Sequence, residues 1–200
     1  MKLPQSFYER DDVVKISKEL IGKYLFTNID GEITGGYIVE TEAYNGVVDR
    51  ASHAYGNRLT PRTSTMFGQG GVAYVYLCYG IHEMFNIVTA VEGRPHAILI
   101  RAIQPTDGVD IMLIRRNMAA LKPNITSGPG SAAQALGISR KLNAISLQSD
   151  TLWIEDKGLK FEDDAIAAVP RVGVAYAGQD ALLPYRFYVK GNPYVSKPNK

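Results

Sequence analysis

The chain has 200 residues, 46% of them hydrophobic, enough to bury a core in a single domain spanning residues 1–200. Its formal charge of +2 is too small to identify a polyanion partner, and its one cysteine, Cys78, excludes an internal disulfide and argues against a stapled extracellular fold. No window is apolar for long enough to span a membrane, and the polar stretch from Met1 to Asp12 lacks the apolar heart of a secretion signal, so an intracellular protein is expected.

Asp11 or Asp12 can cap a first helix over Val13 to Leu20, whose apolar Val13, Val14, Ile16 and Leu20 fall near helical spacing and which stops at Gly22. Strands are expected at Tyr24 to Thr27 and Gly35 to Glu42, joined through Asn28-Ile29-Asp30-Gly31. Arg50 to Gly70 is too rich in turn and polar residues for a regular element and reads as a long functional loop. Strand-like runs follow at Val72 to Tyr79, Phe85 to Ala90 and Ala97 to Ala102. Beyond Pro105 the period changes. Helices are expected over Val109 to Met118 and over Ser131 to Leu136, the latter set off by Gly128-Pro129-Gly130 and stopped by Gly137. Short strands at Leu152 to Ile154, Arg171 to Ala175 and Arg186 to Val189 complete an irregular mixed α and β architecture.

Charge is unevenly spread. Arg186, Lys190, Lys197 and Lys200 populate the final stretch without an acid, Arg58 and Arg62 flank Leu59-Thr60-Pro61, and acids gather at Glu155, Asp156, Glu162, Asp163 and Asp164. Such a layout would let one face meet phosphates while the other stays in water.

The segment Ile38-Val39-Glu40-Thr41-Glu42-Ala43-Tyr44 carries the most chemistry. On a strand Glu40 and Glu42 share a face, with Tyr44 following them. Like charges so close are not comfortably buried together, so this is a half-exposed strand with solvated glutamates, the simpler reading of the segment alone, or a working site. In a working site Glu42 is the better base, because the turn after Tyr44 leaves it nearer the strand end, and glutamates are already carboxylates at neutral pH. Arg101, directly after Ile98-Leu99-Ile100, is placed by a rigid run and could hold a water or a phosphate beside that carboxylate.

Tyr74, Tyr76 and Tyr79 precede Gly80, while Tyr44 and Tyr55 flank His53. Facing rings can hold a single base, and an aromatic at a loop tip can enter a duplex; Tyr74 reads better as a core residue. Asn86, the polar exception in Phe85-Asn86-Ile87, is either a structural hydrogen-bond hub or a reader of ligand edges. His53, His82 and His96 show no metal-ligand spacing, Cys78 has no adjacent base, and no lysine lies between residues 24 and 121. No metal, cofactor, thiol nucleophile or Schiff-base lysine is therefore expected.

Taken in order, Val39-Glu40-Thr41-Glu42-Ala43-Tyr44, His53, Thr60-Pro61-Arg62, Tyr74-Val75-Tyr76, Tyr79-Gly80, Asn86-Ile87, Arg101-Ala102 and Ser127-Gly128-Pro129 resemble the alkyladenine (3-methyladenine) DNA glycosylase family of mammalian type. The tail adds Arg171-Val172-Gly173-Val174, Ala177-Gly178, Arg186-Phe187-Tyr188-Val189, Gly191 and Pro193, so the likeness runs from about residue 13 to residue 197. The resemblance implies an α+β domain with a curved, mainly antiparallel sheet flanked by helices. It further implies a monomeric, monofunctional enzyme of base excision repair that flips a damaged purine out of double-stranded DNA and hydrolyses its N-glycosidic bond. The implied substrates are 3-methyladenine and 7-methylguanine, with hypoxanthine and ethenoadenine as further candidates. By similarity Glu42 activates the water, with Arg101 and a main-chain carbonyl around Val174 helping to place it. Tyr44 and His53 would line one side of the base and Tyr76 the other, Asn86 would exclude normal guanine, and Tyr79 would fill the gap left in the duplex. The chain departs from the family pattern at Ala54-Tyr55-Gly56-Asn57, where relatives carry a Ser-Arg-Gly-Gly type stretch, and at Gly80-Ile81-His82-Glu83.

Two other readings use the same residues. One is a different glycosidase or nucleotide hydrolase with Glu40 and Glu42 as a catalytic pair, which requires carboxyl groups about 5 to 9.5 Å apart on either side of the bond. The other is a non-catalytic binder that stacks bases on Tyr44, Tyr76 and Tyr79.

Overall fold

Local chemistry sets the elements in order. In the structure, a computed structural model that describes residues 1–196, a short helix α1 (Gln5–Tyr8) precedes α2 (Val13–Glu19). The cap of α2 is Asp12, whose carboxylate accepts the Lys15 N–H at 2.9 Å. Asp30 and Gly31, both at positive φ, make the tight turn between β1 (Tyr24–Ile29) and β2 (Glu32–Tyr44). A second hairpin joins β3 (Ala73–Cys78) to β4 (His82–Thr89), and β5 (His96–Asp107) extends past the expected Ala102 because β2 is long enough to pair with it as far as Asp107. Then come α3 (Val109–Arg115), α4 (Pro129–Ala135) with proline in its first turn, β6 (Leu152–Glu155), β7 (Ile166–Val169) and β8 (Arg186–Val189). The expected strand over Arg171 to Ala175 does not form, and β7 takes the place beside β8. Pro170 offers no N–H to a ladder and Gly173 sits at φ 73°, so the chain leaves the sheet there.

The strand order is β3-β4-β5-β2-β1-β6, with every pairing antiparallel. On its other side β2 is shared: β1 covers Glu32 to Tyr37, and β8 covers Glu40 to Glu42 with β7 beyond it. This branching, together with register shifts between β2 and β5 at Gly35/Gly36 and on both sides of Glu40, curves the sheet. The result is an α+β fold with a curved, mainly antiparallel sheet flanked by helices.

Ile16 and Leu20 of α2, Met112 of α3 and Ala133 and Leu136 from α4 and its cap join Ile38, Ile98, Ile100 and Ile103 in the main core. Thr41 faces this helical side, where its hydroxyl donates to the Ser17 carbonyl at 2.9 Å and receives the Ser17 hydroxyl at 3.0 Å. Period-two alternation then sends Glu42 and Tyr44 to the opposite side, level with Leu99 and Ala97 of β5. Among the described residues, no helix is long and apolar enough to cross a membrane.

Candidate active site

On the side of the sheet away from α2, a cavity of about 810 Å³ is lined by Glu42, Tyr44, His53, Tyr76, Tyr79, Asn86, Arg101 and Val174. The fold therefore gathers into one space all the residues singled out as site candidates, although they come from β2, β3, β4, β5 and three connections.

Glu40 and Glu42 are both 0% exposed, which overturns the reading of a solvated strand edge. Arginines from elsewhere in the chain make that burial tolerable. Glu40 Oε1 accepts from Arg101 Nε at 2.8 Å, Arg186 Nε at 2.7 Å and Ser196 Oγ at 2.8 Å, while Oε2 accepts the Ser196 N–H at 2.7 Å. Glu42 is held more loosely. Its Oε1 accepts the Val172 N–H at 2.7 Å and lies 3.4 Å from Arg101 Nη1, and its Oε2 accepts the Tyr44 hydroxyl at 2.9 Å. Each of these oxygens retains capacity for a water.

Burial works against the Arg101 charge, but Glu42 and then Glu40 more than offset it and hold the guanidinium above its usual range. Burial and the neighbouring Glu42 charge push the Tyr44 phenol well above its usual value, so it remains a donor to Glu42. Register contributes as well: β2 and β5 slip by one residue at Glu40 and recover at Thr41, leaving Val39 and Arg101 unpaired. Irregularities of this kind re-aim side chains.

Sequence reasoning missed how these charges are matched. Arg186 was expected on a basic face, but it is buried and bound to Glu40, and Lys190 donates to the Asp164 carbonyl; Lys197 and Lys200 lie outside the described residues. Asp49 was not singled out at all. It forms a fully buried pair with Arg171, whose guanidinium also donates to the Ala43 carbonyl and lies 4.9 Å from the Tyr44 ring centroid. A lone arginine just after a proline in an otherwise apolar stretch was the only available signal.

His53 meets Tyr76 edge-on at 4.8 Å. Arg62 Nη2 donates to His53 Nε2 at 3.2 Å, so the ring is the neutral tautomer that donates from Nδ1 to the Tyr74 hydroxyl at 3.0 Å. Burial, with the Arg62 charge adding to it, holds the imidazole down to about 4. The unfolded chain takes up this proton near the ordinary value of 6.5, the folded one only near 4, so the contribution is complete above 6.5 and lost as pH falls toward 4. Replacing His53 with Gln should therefore shrink the loss of unfolding free energy between about pH 7 and about pH 4.5 by about 2 kcal/mol. Urea titrations at the two pH values check this; parallel losses in both proteins would count against it.

Tyr76 lies 5.3 Å from Tyr74, which is buried as expected. The Asn86 amide donates to the Tyr74 and Met84 carbonyls at 3.1 and 3.3 Å, so it anchors the β3–β4 hairpin as well as facing the cavity. Tyr79 is 91% exposed at the hairpin tip; it and Gly80 take φ 50° and 75°, and Ile81 N–H closes the turn on the Cys78 carbonyl at 3.1 Å. Both central residues at positive φ make this a type I′ turn, which strains the tyrosine and throws its ring clear of the sheet. Cys78, the last residue of β3, is half-buried on the cavity wall. Val174 is buried in a small cluster that packs against Tyr44, its carbonyl accepting the Ala177 N–H at 2.9 Å. Among the described residues no cluster of three or more His, Cys, Asp or Glu side chains could hold a metal ion.

The family model described as methylpurine-DNA glycosylase matches residues 6–193. The chain is 47% identical over 206 aligned positions to a protein of Bacillus cereus (strain G9842) described as "Putative 3-methyladenine DNA glycosylase", an alignment covering 98% of this chain and 100% of that one. A protein of Chlamydia abortus (strain DSM 27085 / S26/3) with the same description is 46% identical, with 92% and 96% covered. With a match over nearly its whole length and a buried carboxylate facing an aromatic cavity, this chain belongs to the methylpurine-DNA glycosylase family.

Proposed function

We propose that the protein hydrolyses the N-glycosidic bond of a damaged purine flipped out of duplex DNA, with 3-methyladenine and 7-methylguanine as its first substrates and hypoxanthine and ethenoadenine as further ones. The observation that carries this reading is the buried Glu42 carboxylate, oriented by the Tyr44 hydroxyl and the Val172 N–H on the wall of a cavity faced by Tyr44, Tyr76 and His53. Water bound at Glu42 adds to C1′, the C1′–N9 bond breaks, its electron pair goes to the purine, and Glu42 accepts the water proton. An N3- or N7-alkylated purine starts as a cation and leaves neutral, and aromatic faces favour such a cation while it is bound. Arg101, fixed by Glu40 and Ser196, would hold the water or the phosphate beside it, with the Val174 carbonyl as a further acceptor. Asn86 would crowd the exocyclic amine of normal guanine. This hydrolysis has no redox or group-transfer step that calls for a cofactor. Each copy carries a whole cavity, so a monomer suffices.

The reading of Glu40 and Glu42 as a catalytic pair loses support, because both Glu40 oxygens are occupied by protein donors. The test is base release from duplexes carrying each of the four lesions, with borohydride present in a parallel reaction. Release of alkylpurines leaving an abasic site and no trapped adduct is expected; no release with enzyme in excess, or a covalent adduct, would overturn the proposal.

Tyr79 would act as the wedge, since a strained aromatic at an exposed tip can occupy the space a flipped nucleotide vacates. Tyr79→Ala is expected to weaken binding to a lesion duplex about tenfold, as for loss of one stacked ring. Excision of the same lesion from an unpaired bulge should change less. Equal losses on both substrates would remove the wedge role.

A further inference from the structure

The charges of the site nearly balance. Glu40 pairs with Arg101 and Arg186, Glu42 with Arg101, and Asp49 with Arg171. Arg62 is the surplus: it lines the same cavity and forms no ion pair among the described residues. Nor does it project freely. Its guanidinium lies over the Tyr76 ring, 4.7 Å from the centroid, and is tied to His53 Nε2. An uncompensated positive charge is thus fastened to the aromatic wall on which a purine would stack. His53 adds no second charge there, because both its nitrogens are engaged within the wall and the ring is neutral.

We propose that Arg62 determines specificity, extending the substrate class to neutral damaged purines by stabilising the negative charge such a purine gathers as its bond to the sugar breaks. This rests on the glycosylase reading above. A cationic alkylpurine is repelled by a nearby guanidinium when it binds and sheds that repulsion as it takes the C1′–N9 electron pair and becomes neutral, so between free enzyme and transition state it gains little. A neutral purine takes the same pair and becomes an anion until water gives it a proton. A fixed cation one aromatic ring away, in a cavity from which the base has expelled water, acts on that anion and has no need to reorganise. Because Arg62 is itself exposed, the effect is moderate, about tenfold in kcat/KM.

Excision of hypoxanthine and of 7-methylguanine from otherwise identical duplexes at sub-saturating enzyme, where the rate reports kcat/KM, by the wild type, R62Q and R62K, tests this. R62Q is expected to lower kcat/KM for hypoxanthine about tenfold more than for 7-methylguanine, with R62K keeping most of the hypoxanthine value. Equal loss on both lesions would assign Arg62 to the DNA backbone and overturn the proposal, as would no loss on either. Wild-type enzyme that releases 7-methylguanine but no hypoxanthine also overturns it while leaving the glycosylase reading intact. Wild-type enzyme that releases neither refutes that reading itself.

Discussion

Replacing Glu42 with Gln is expected to slow release of 7-methylguanine about a thousandfold in single turnover, the scale of a general base removed from its water. The substitution keeps the shape of the side chain. Its carbonyl can still accept the Val172 N–H, and its amide can donate to the Tyr44 hydroxyl, so both local contacts persist in altered polarity. What disappears is the capacity to take a proton from water. Binding to a lesion duplex should accordingly stay within several-fold of the wild type, because no phosphate contact is touched. Near wild-type excision by this variant would sink the assignment, and a matching loss of binding would show that the substitution disturbed the cavity rather than the chemistry.

A second large effect is expected at the neighbouring acid, and it should appear first in stability. Glu40→Ala leaves Arg101 and Arg186, both buried, with no carboxylate at the place where their Nε atoms converge. Breaking a buried ion pair from one side costs about 3 to 5 kcal/mol, a large fraction of the roughly 5 to 15 kcal/mol that holds a domain folded. Urea unfolding should show this loss as a midpoint lowered by that energy divided by the slope, with the slope unchanged. Activity should fall too, for a separate reason: freed from Glu40, Arg101 can close on Glu42 from its present 3.4 Å and occupy the oxygen proposed to hold the water. A destabilisation below about 1 kcal/mol would mean that the two arginines find other partners or water.

These two glutamates also mark the boundary of what the amino-acid order discloses. Alternation placed both on one face and chose Glu42 as the base candidate, because those inferences need only nearest neighbours along the chain. Their complete burial could not be read, because it depends on Arg101 and Arg186, which lie 61 and 146 positions from Glu40, and on a serine 156 positions away. The same holds for Asp49 and Arg171, 122 positions apart. Turn and cap chemistry proved local enough to read: Asp12 caps α2, and Asp30-Gly31 turns β1 into β2. Strand ends and the missing strand at Arg171 were not readable, since a run of apolar residues does not say whether a neighbour will be present to pair with it. The aromatic cluster was legible as a set, whereas the tie from Arg62 to His53 needed the loop to be folded.

The slip and recovery of register around Glu40 makes the position of the Glu42 carboxylate a matter of chain length. Val39 on one strand and Arg101 on the other are supernumerary in equal number, so the pairing beyond Thr41 is in step with the pairing before Ile38. Deleting Val39 alone would advance the rest of β2 by one place and turn Glu42 toward Ser17 and the helices, while Ala43 would take its place at the cavity. Point substitutions in this strand can be graded by the chemistry they remove; a one-residue gain or loss is of another kind, because it keeps every functional side chain and reverses the protein's inside and outside along the strand that carries Glu42.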